Sequence, residues 1–178
     1  MRTLVLALAV VLLASPVWAD VEIILTEIEP GKVEISYDAT SETELIRAFA
    51  LDITAIDGNI IDINDYSIGD DNGGYGIFPG TFADAPIVVD AGTGQVVSWA
   101  VDGYSPIAPA DDPDALGGLD TPGITIEMGS LYDTMAPAKT GILCTVNVDE
   151  NATELCVEGN AIRGNVVLET AAEATMTP

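Results

Sequence analysis

The segment GKVEISYDATSETELIRAFALDITAI, residues 31–56, decides the fold of this chain. In its first half Val33, Ile35 and Tyr37 alternate with polar residues, and in its second half the apolar positions from Phe49 onward again recur at every second residue. Successive side chains of a β-strand point to opposite faces of a sheet. This period therefore predicts two strands, each with one face in a hydrophobic core.

The same pattern recurs along the rest of the chain, where Gly, Pro, Asp and Asn separate short apolar runs and helical periodicity is nearly absent. Many short strands in one domain are typical of a sandwich. We therefore predict an all-β, antiparallel β-sandwich of jelly-roll type with about nine to ten strands. The segments read as strands are VEIILTEI, KVEISYD, LIRAFALDITAI, NIIDI, PIVVD, QVVSWAV, GITIEM, GILCTVNV, TELCVE and NVVLE.

Residues 1–19 have the pattern of a secretory signal peptide. Arg2 supplies a positive charge, an apolar run extends from Leu4 to Ala14, and Ala19 ends a cleavage signature. The run is shorter than the roughly 20 residues that a membrane-spanning helix needs, and no later stretch is longer. The sequence therefore predicts export to the extracellular medium or the cell surface, with no membrane span.

The remaining chain has the length of one domain. Residues 20–170 contain all the predicted strands, and a chain of this size can bury a sizeable core. Residues 171–178, AAEATMTP, show no apolar periodicity. We predict one folded domain at 20–170 and a loose tail at 171–178.

The chain is strongly acidic, with 29 Asp and Glu against 5 Lys and Arg and a formal charge of −24. Nucleic acids and anionic membrane surfaces attract basic patches, so the composition argues against both as partners. Because 48% of the residues are hydrophobic, the chain is not of the disordered type. The acidic residues must coat a folded core.

Catalytic patterns are missing from the sequence. The chain has no histidine, which removes Ser-His-Asp and Cys-His nucleophile activation and every zinc site built on imidazole. Glycosidases use two carboxylates, but among 29 acidic residues no spacing singles out such a pair. The sequence therefore predicts a protein that is not an enzyme.

The two cysteines, Cys144 and Cys156, enclose the segment TVNVDENATEL. A polar turn centred on Glu150 predicts a β-hairpin in which the two cysteines lie opposite each other, within disulfide reach. Export to an oxidising compartment favours a structural disulfide between them. The same register sets Val146 opposite Glu154, so a bulge or a longer loop is the alternative to a regular hairpin.

Two long segments between predicted strands, residues 65–85 and 103–122, read as loops. Their aromatic side chains either contact a ligand on a concave surface, as in sugar binding, or anchor the loops to the sandwich. The anchoring interpretation is the favoured one. The aromatic candidates for ligand contact are Tyr66, Tyr75, Phe78, Phe82 and Tyr104.

The first loop and the strand before it are also rich in oxygen ligands, which suit calcium as a cofactor. The EF-hand template does not fit, because Tyr75 takes the place of the required glycine when the loop is counted from Asp70. Solvated turn residues are the alternative for either cluster. The calcium candidates are Asp62, Asn64 and Asp65 in one cluster and Asp70, Asp71 and Asn72 in the other.

Both ends of the domain resemble cohesin domains. The stretch GKVEISYDATSETELIRAFALDITAIDGNIIDI resembles their first strands, and TGILCTVNVDENATELCVEGNAIRGNVVL resembles their last ones. GYGIFPG and GGLDTPGITIEMGSLY resemble stretches of cohesin-like proteins secreted by environmental bacteria. The resemblance implies a nine-stranded jelly roll, related in fold to carbohydrate-binding modules, that docks a dockerin partner outside the cell.

The sequence thus predicts a secreted, non-catalytic module that binds a dockerin-like protein or a polysaccharide. The alternative is self-association, as a structural subunit of an extracellular fibre or surface layer. In that case the N-terminal strand VEIILTEI would pair with the open sheet edge of a neighbouring subunit. A strand that folds back within its own sheet would count against this alternative.

Overall fold

The computed structural model describes residues 20–69, 76–80, 87–92, 96–99, 104–130 and 137–177. Twelve strands and no helix lie in these ranges, and each of the ten predicted strands is among them. The strands are β1 (Asp20–Glu29), β2 (Lys32–Asp38), β3 (Ile46–Ile56), β4 (Ile60–Asn64), β5 (Phe78–Pro79), β6 (Ile87–Val89), β7 (Val96–Trp99), β8 (Gly123–Gly129), β9 (Thr140–Val148), β10 (Glu154–Gly159), β11 (Val166–Leu168) and β12 (Thr175–Thr177).

The strands form two main sheets. Sheet A has the order β12-β1-β2-β9-β4, and sheet B has the order β10-β3-β8-β5, with β11 also paired to β3. A separate ladder joins β6 to β7. Every strand pair is antiparallel except β1 with β12. The chain crosses repeatedly between the two sheets, which confirms the predicted all-β sandwich.

One hydrophobic core joins the inner faces of both sheets. The alternation in residues 31–56 builds it, since Ile35 of β2 and Leu51 of β3 are completely buried. The rings of Tyr37 and Phe49 meet across the sheets with their centroids 5.0 Å apart. The Tyr37 hydroxyl donates to the Ala138 carbonyl at 2.8 Å, and burial raises the pKa of this tyrosine to about 12.

The predicted hairpin between the cysteines is wrong. Cys144 lies on β9 in sheet A, opposite Ile35, whereas Cys156 lies on β10 in sheet B, opposite Thr54. Cys144 is buried in the core, while Cys156 neighbours the core residue Val157 and therefore lies on the outer face of its sheet. Both thiols are free. The sequence of a polar turn is the same whether the two strands pair with each other or lie in opposite sheets. Because the hairpin is absent, the disulfide prediction is wrong as well.

The predicted loose tail is wrong for its last described residues. Thr175–Thr177 form β12, which pairs in parallel with the start of β1, Asp20 opposite Thr175. Ala174 before them is 9% exposed, and its N–H donates to the carbonyl of Val166 at 2.8 Å. The three residues of this strand, Thr-Met-Thr, are too few to show a periodic pattern, so no sequence signal marked it.

The predicted signal peptide, residues 1–19, lies outside the described residues. In the part of the chain that the structure does describe, there is no helix of the length and hydrophobicity needed to cross a membrane.

Candidate binding site

The two described aromatic residues of the first loop serve as anchors. Tyr66 packs against the core, and its hydroxyl donates to the Tyr104 carbonyl at 3.1 Å. Phe78 on β5 is completely buried, and its ring occupies the space that a Cβ at Gly69 would need. Phe78 therefore has no surface for a ligand, and its predicted contact role is wrong. Tyr75 and Phe82 lie outside the described residues.

The first calcium cluster is occupied by hydrogen bonds within the protein. One oxygen of Asp62 accepts from the Asn64 amide at 2.9 Å. One oxygen of Asp65 accepts from the Lys32 ammonium at 3.1 Å and from the Thr145 hydroxyl at 3.0 Å. These bonds, with the lysine contributing most, lower the pKa of Asp65. Asp70, Asp71 and Asn72 lie outside the described residues.

Within the described ranges, no group of three or more acidic or cysteine side chains is placed to hold a metal ion. One oxygen of Asp65 already has a cationic partner, the Lys32 ammonium. Calcium therefore stays a prediction without a site in the described residues.

The second loop lies along sheet B as an added layer. We call residues 104–120 the strap. The N–H of Ala108 donates to the Thr125 carbonyl at 2.8 Å, and the N–H of Glu127 donates to the Pro106 carbonyl at 2.7 Å. Ile107 forms an isolated antiparallel bridge with Ile126. The start of the strap thus runs as a partial strand beside β8.

A polar network fastens the strap to the outer face of sheet B. Asp52 on β3 accepts from the Thr125 hydroxyl at 2.5 Å and from the Asn160 amide at 3.1 Å. Asn160 is only 5% exposed, and its amide also donates to the Asp114 carbonyl at 2.8 Å. The N–H of Leu116 donates to the Thr125 hydroxyl at 2.9 Å. Buried polar groups of this kind hold their position because each lost partner is costly.

Arg163 closes the network at its edge. Its guanidinium binds the carboxylates of Glu127 and Asp112, the latter at 3.3 Å, and donates to the Pro113 carbonyl at 3.0 Å. Burial alone would lower the pKa of Arg163, but the two carboxylates outweigh it and raise that pKa. Sequence reasoning missed this network, because its members come from four distant segments.

An open groove lies on the side of the sandwich where β1 faces β10. Its volume is about 560 Å³, and it runs between the β1–β2 turn of sheet A and the segment that leads from β9 into β10. The floor is apolar and packs directly against the core, and the rim is acidic. The floor residues are Val33, Val148, Ala152 and Leu155, and the rim residues are Glu27, Asp149, Glu150 and Glu154.

Asp149 fixes the turn at one end of the groove. Its carboxylate accepts from the N–H of Asn151 at 3.0 Å and from the backbone and side-chain amides of Asn59 at 3.1 and 3.0 Å. These bonds lower the pKa of Asp149, and the bond from the N–H of Asn151 contributes most. Gly58 is required beside it, since a Cβ there would lie 2.5 Å from the Ala152 nitrogen.

The strand that borders the groove has an open edge. β12 covers only Asp20–Glu22 of β1, so among the described residues Ile23–Glu29 have no strand on that side. The exposed apolar side chains Ile24 and Ile28 lie on this segment. The sequence marked β1 as an apolar strand, but it carried no signal for the groove, which forms only when two distant turns meet.

No family model and no curated protein matches this chain. Among solved structures, one chain from the crystal structure of a dockerin–cohesin complex, CaDoc0917 with CaCohA2, is similar to it. The TM-score is 0.43 with 13% sequence identity, over 88% of this chain and 92% of that chain. The assignment of a β-sandwich therefore rests on the strand pairing and the hydrophobic core described above, and not on this similarity.

Proposed function

We propose that this protein is an exported, non-catalytic module that binds a partner protein in the groove between β1 and β10. The observation that carries the proposal is the groove itself, an apolar floor continuous with the core, about 560 Å³ in volume and open to solvent inside an acidic rim. Concave apolar surfaces with a few placed polar groups are the usual sites of binding.

The chemistry of the rim supports binding rather than catalysis. Carboxylate catalysis of glycoside hydrolysis needs one carboxyl group that stays protonated to act as an acid. The pKa of Asp149 on the rim is lowered, and its carboxylate is held by three N–H donors. It is an ionised structural residue, and the chain has no histidine that could take over the acid role.

The described aromatic residues support a protein partner over a polysaccharide. Sugar rings stack on exposed aromatic faces, yet Phe78 is buried and the Tyr66 hydroxyl is bonded to the Tyr104 backbone. The described residues that line the groove include no aromatic side chain. A dockerin-like protein is the specific partner that the sequence resemblance to cohesins implies, and it remains part of the proposal.

The position of β1 counts against the fibre alternative in the form predicted from sequence. β1 is paired with β2 from Glu22 to Glu29 and with β12 at its start. It is therefore held inside its own sheet and does not extend away from the domain as a donor strand for a neighbour.

The test is to fill the groove. Peptides are selected on the wild-type protein from a displayed random library. Their affinity for the wild type is then compared with their affinity for Ala152→Phe, a variant that places an aromatic ring on the groove floor. Ala161→Phe, in an exposed turn outside the groove residues, is the matched control. We expect affinity to fall about tenfold or more for Ala152→Phe and to stay unchanged for Ala161→Phe.

Circular dichroism checks that each variant is folded, and Glu154→Lys on the rim replaces Ala152→Phe should that variant unfold. Selected peptides that bind the wild type and the groove variants equally well would refute the groove as the binding site.

A further inference from the structure

We infer that the partner enters as a β-strand: a basic segment with alternating apolar side chains that adds to sheet A along the open edge of β1, Ile23–Glu29. This inference rests on the proposed function and specifies how the groove is occupied and by what chemistry.

The backbone of β1 provides the first argument. A strand that pairs on one side only presents a row of unpaired N–H and C=O groups on the other, which is a template for another strand. In the described residues β2 covers one side of β1 along Glu22–Glu29, while β12 covers the other side only at Asp20–Glu22. The uncovered segment extends for about 23 Å at roughly 3.3 Å per residue, the length of an ordinary strand.

The groove provides the second argument, because it lies beside this edge. Glu27 of β1 and Leu155 of β10 line the same groove, so a strand added to β1 passes over its mouth. Every second side chain of that strand would point inward. Those side chains would meet Leu155 of β10, a partly buried floor residue of the groove, which accounts for the apolar half of the alternation.

Charge provides the third argument and selects the occupant. Exposed carboxylates lie on both strands that border the groove, and the neighbouring cation Lys32 is already paired with Asp65. With only 5 Lys and Arg against 29 acidic residues, a second copy of this chain has no basic strand to offer. A foreign basic segment is the complement. The carboxylates are Glu22, Glu27 and Glu29 on β1 and Glu154 and Glu158 on β10.

The same carboxylates explain why the edge stays open between copies. Native proteins protect exposed edges with charged residues and bulges, and the pairing of β1 with β2 is irregular between Glu27 and Glu29. Two acidic edges repel each other, whereas a lysine-bearing strand relieves the repulsion. The device that blocks self-pairing is therefore also the one that selects a basic partner.

The experiment uses a synthetic peptide of alternating lysine and valine, and a block peptide of the same composition in which all lysines precede all valines. Binding to the purified protein is followed by fluorescence anisotropy, and backbone amide exchange is followed by NMR. We expect the alternating peptide to bind about tenfold more tightly than the block peptide and to slow exchange within Ile23–Glu29. Equal affinity of the two peptides would overturn strand addition.

Two further comparisons separate strand addition from general docking. The alternating peptide is N-methylated either at its odd or at its even positions, which removes the donors from one edge only. Strand addition requires one series to lose binding and the other to retain it. Ile28→Lys should weaken binding about tenfold, whereas Ile61→Lys on β4 should not, and both isoleucines are 45% exposed in the wild type.

The outcomes distinguish this inference from the proposed function. Peptide binding that is lost in the Ala152→Phe variant but unaffected by either N-methyl series would leave the groove as the site and overturn strand addition. Slowed exchange in Ile23–Glu29 with unchanged affinity for the groove variant would support strand addition and refute the groove. Dimers of the wild-type protein that protect Ile23–Glu29 would make the occupant a second copy and overturn the basic partner.

Discussion

The outer face of sheet B and the β1–β10 side of the sandwich differ in how much of their surface the protein itself covers. On sheet B, Asp52, Thr125 and Asn160 satisfy one another under the strap, which is itself bonded to β8. On the β1–β10 side, an apolar floor reaches solvent inside a rim of carboxylates, and the edge of β1 is uncovered among the described residues. The covered face contributes to stability, and the open side is available for binding.

The described part of the first loop belongs with the covered region in this comparison. The first loop is rich in glycines, aromatics and acidic residues, and in its described part Phe78 is buried and the Tyr66 hydroxyl is bonded to the Tyr104 backbone. The groove residues come from ordinary strands and turns. Changes in the covered region should therefore cost more stability than changes on the open side.

The largest expected effect is at Phe78. Phe78→Ala removes a completely buried ring that packs on Gly69, and the cavity should lower the free energy of unfolding by about 3–5 kcal/mol. Urea denaturation measures this, with Ile162→Ala as control, since Ile162 is 73% exposed and should change stability by less than about 0.5 kcal/mol. A loss below about 1 kcal/mol at Phe78 would mean that the first loop is not anchored as described.

How much of this fold the sequence predicts depends on the kind of signal. Period-two alternation located ten of the twelve strands in the described residues, because a strand with one buried face must alternate. It missed β5, which has two residues, and β12, which has three residues and pairs with β1. Alternation defines strands but not their partners, which is why Cys144 and Cys156 were assigned to one hairpin.

The candidate site was less predictable, for a related reason. The groove joins the β1–β2 turn to the segment around Ala152, and the network joins Asp52 to Asn160 across more than a hundred residues of chain. No local sequence pattern predicts such contacts between distant segments. Local reasoning marked Tyr66 and Phe78 as candidates for ligand contact while it favoured anchoring, and burial excludes the contact role for Phe78.

The next largest effect is expected at Asn160. Asn160→Ala removes the amide that bonds Asp52 and the Asp114 carbonyl, and it removes the side-chain oxygen that accepts from the N–H of Ile162 at 3.2 Å. Buried partners left unsatisfied should cost about 2–3 kcal/mol, and amide exchange in the strap should accelerate. Asn151→Ala, in an exposed turn, is the matched control. Unchanged exchange in the strap would show that the network does not fasten it.

A smaller, pH-dependent effect is expected on the open side at Asp149. Its folded-state pKa is lowered from 3.8, so its contribution is present above that pH and is lost as the pH falls through the folded-state pKa. The difference in unfolding free energy between the wild type and Asp149→Asn should therefore shrink as the pH is lowered from about 6 to about 3. Urea titrations at several pH values measure it, with Asp111→Asn as control. A difference that is constant with pH would contradict the lowered pKa.

The smallest expected effect is that of a reducing agent. A bridge between Cys144 and Cys156 would join the core of sheet A to the outer face of sheet B, and a disulfide closing a loop of this size typically contributes about 2–4 kcal/mol. Because the two thiols are free and lie on opposite sheets, dithiothreitol should leave the unfolding midpoint of the protein unchanged, and Cys156→Ser should behave as the wild type in either condition. A midpoint that falls on reduction in the wild type but not in Cys156→Ser would require β9 and β10 to approach each other. The segment between them would then close the groove, and the open side would lose the feature that distinguishes it from the covered one.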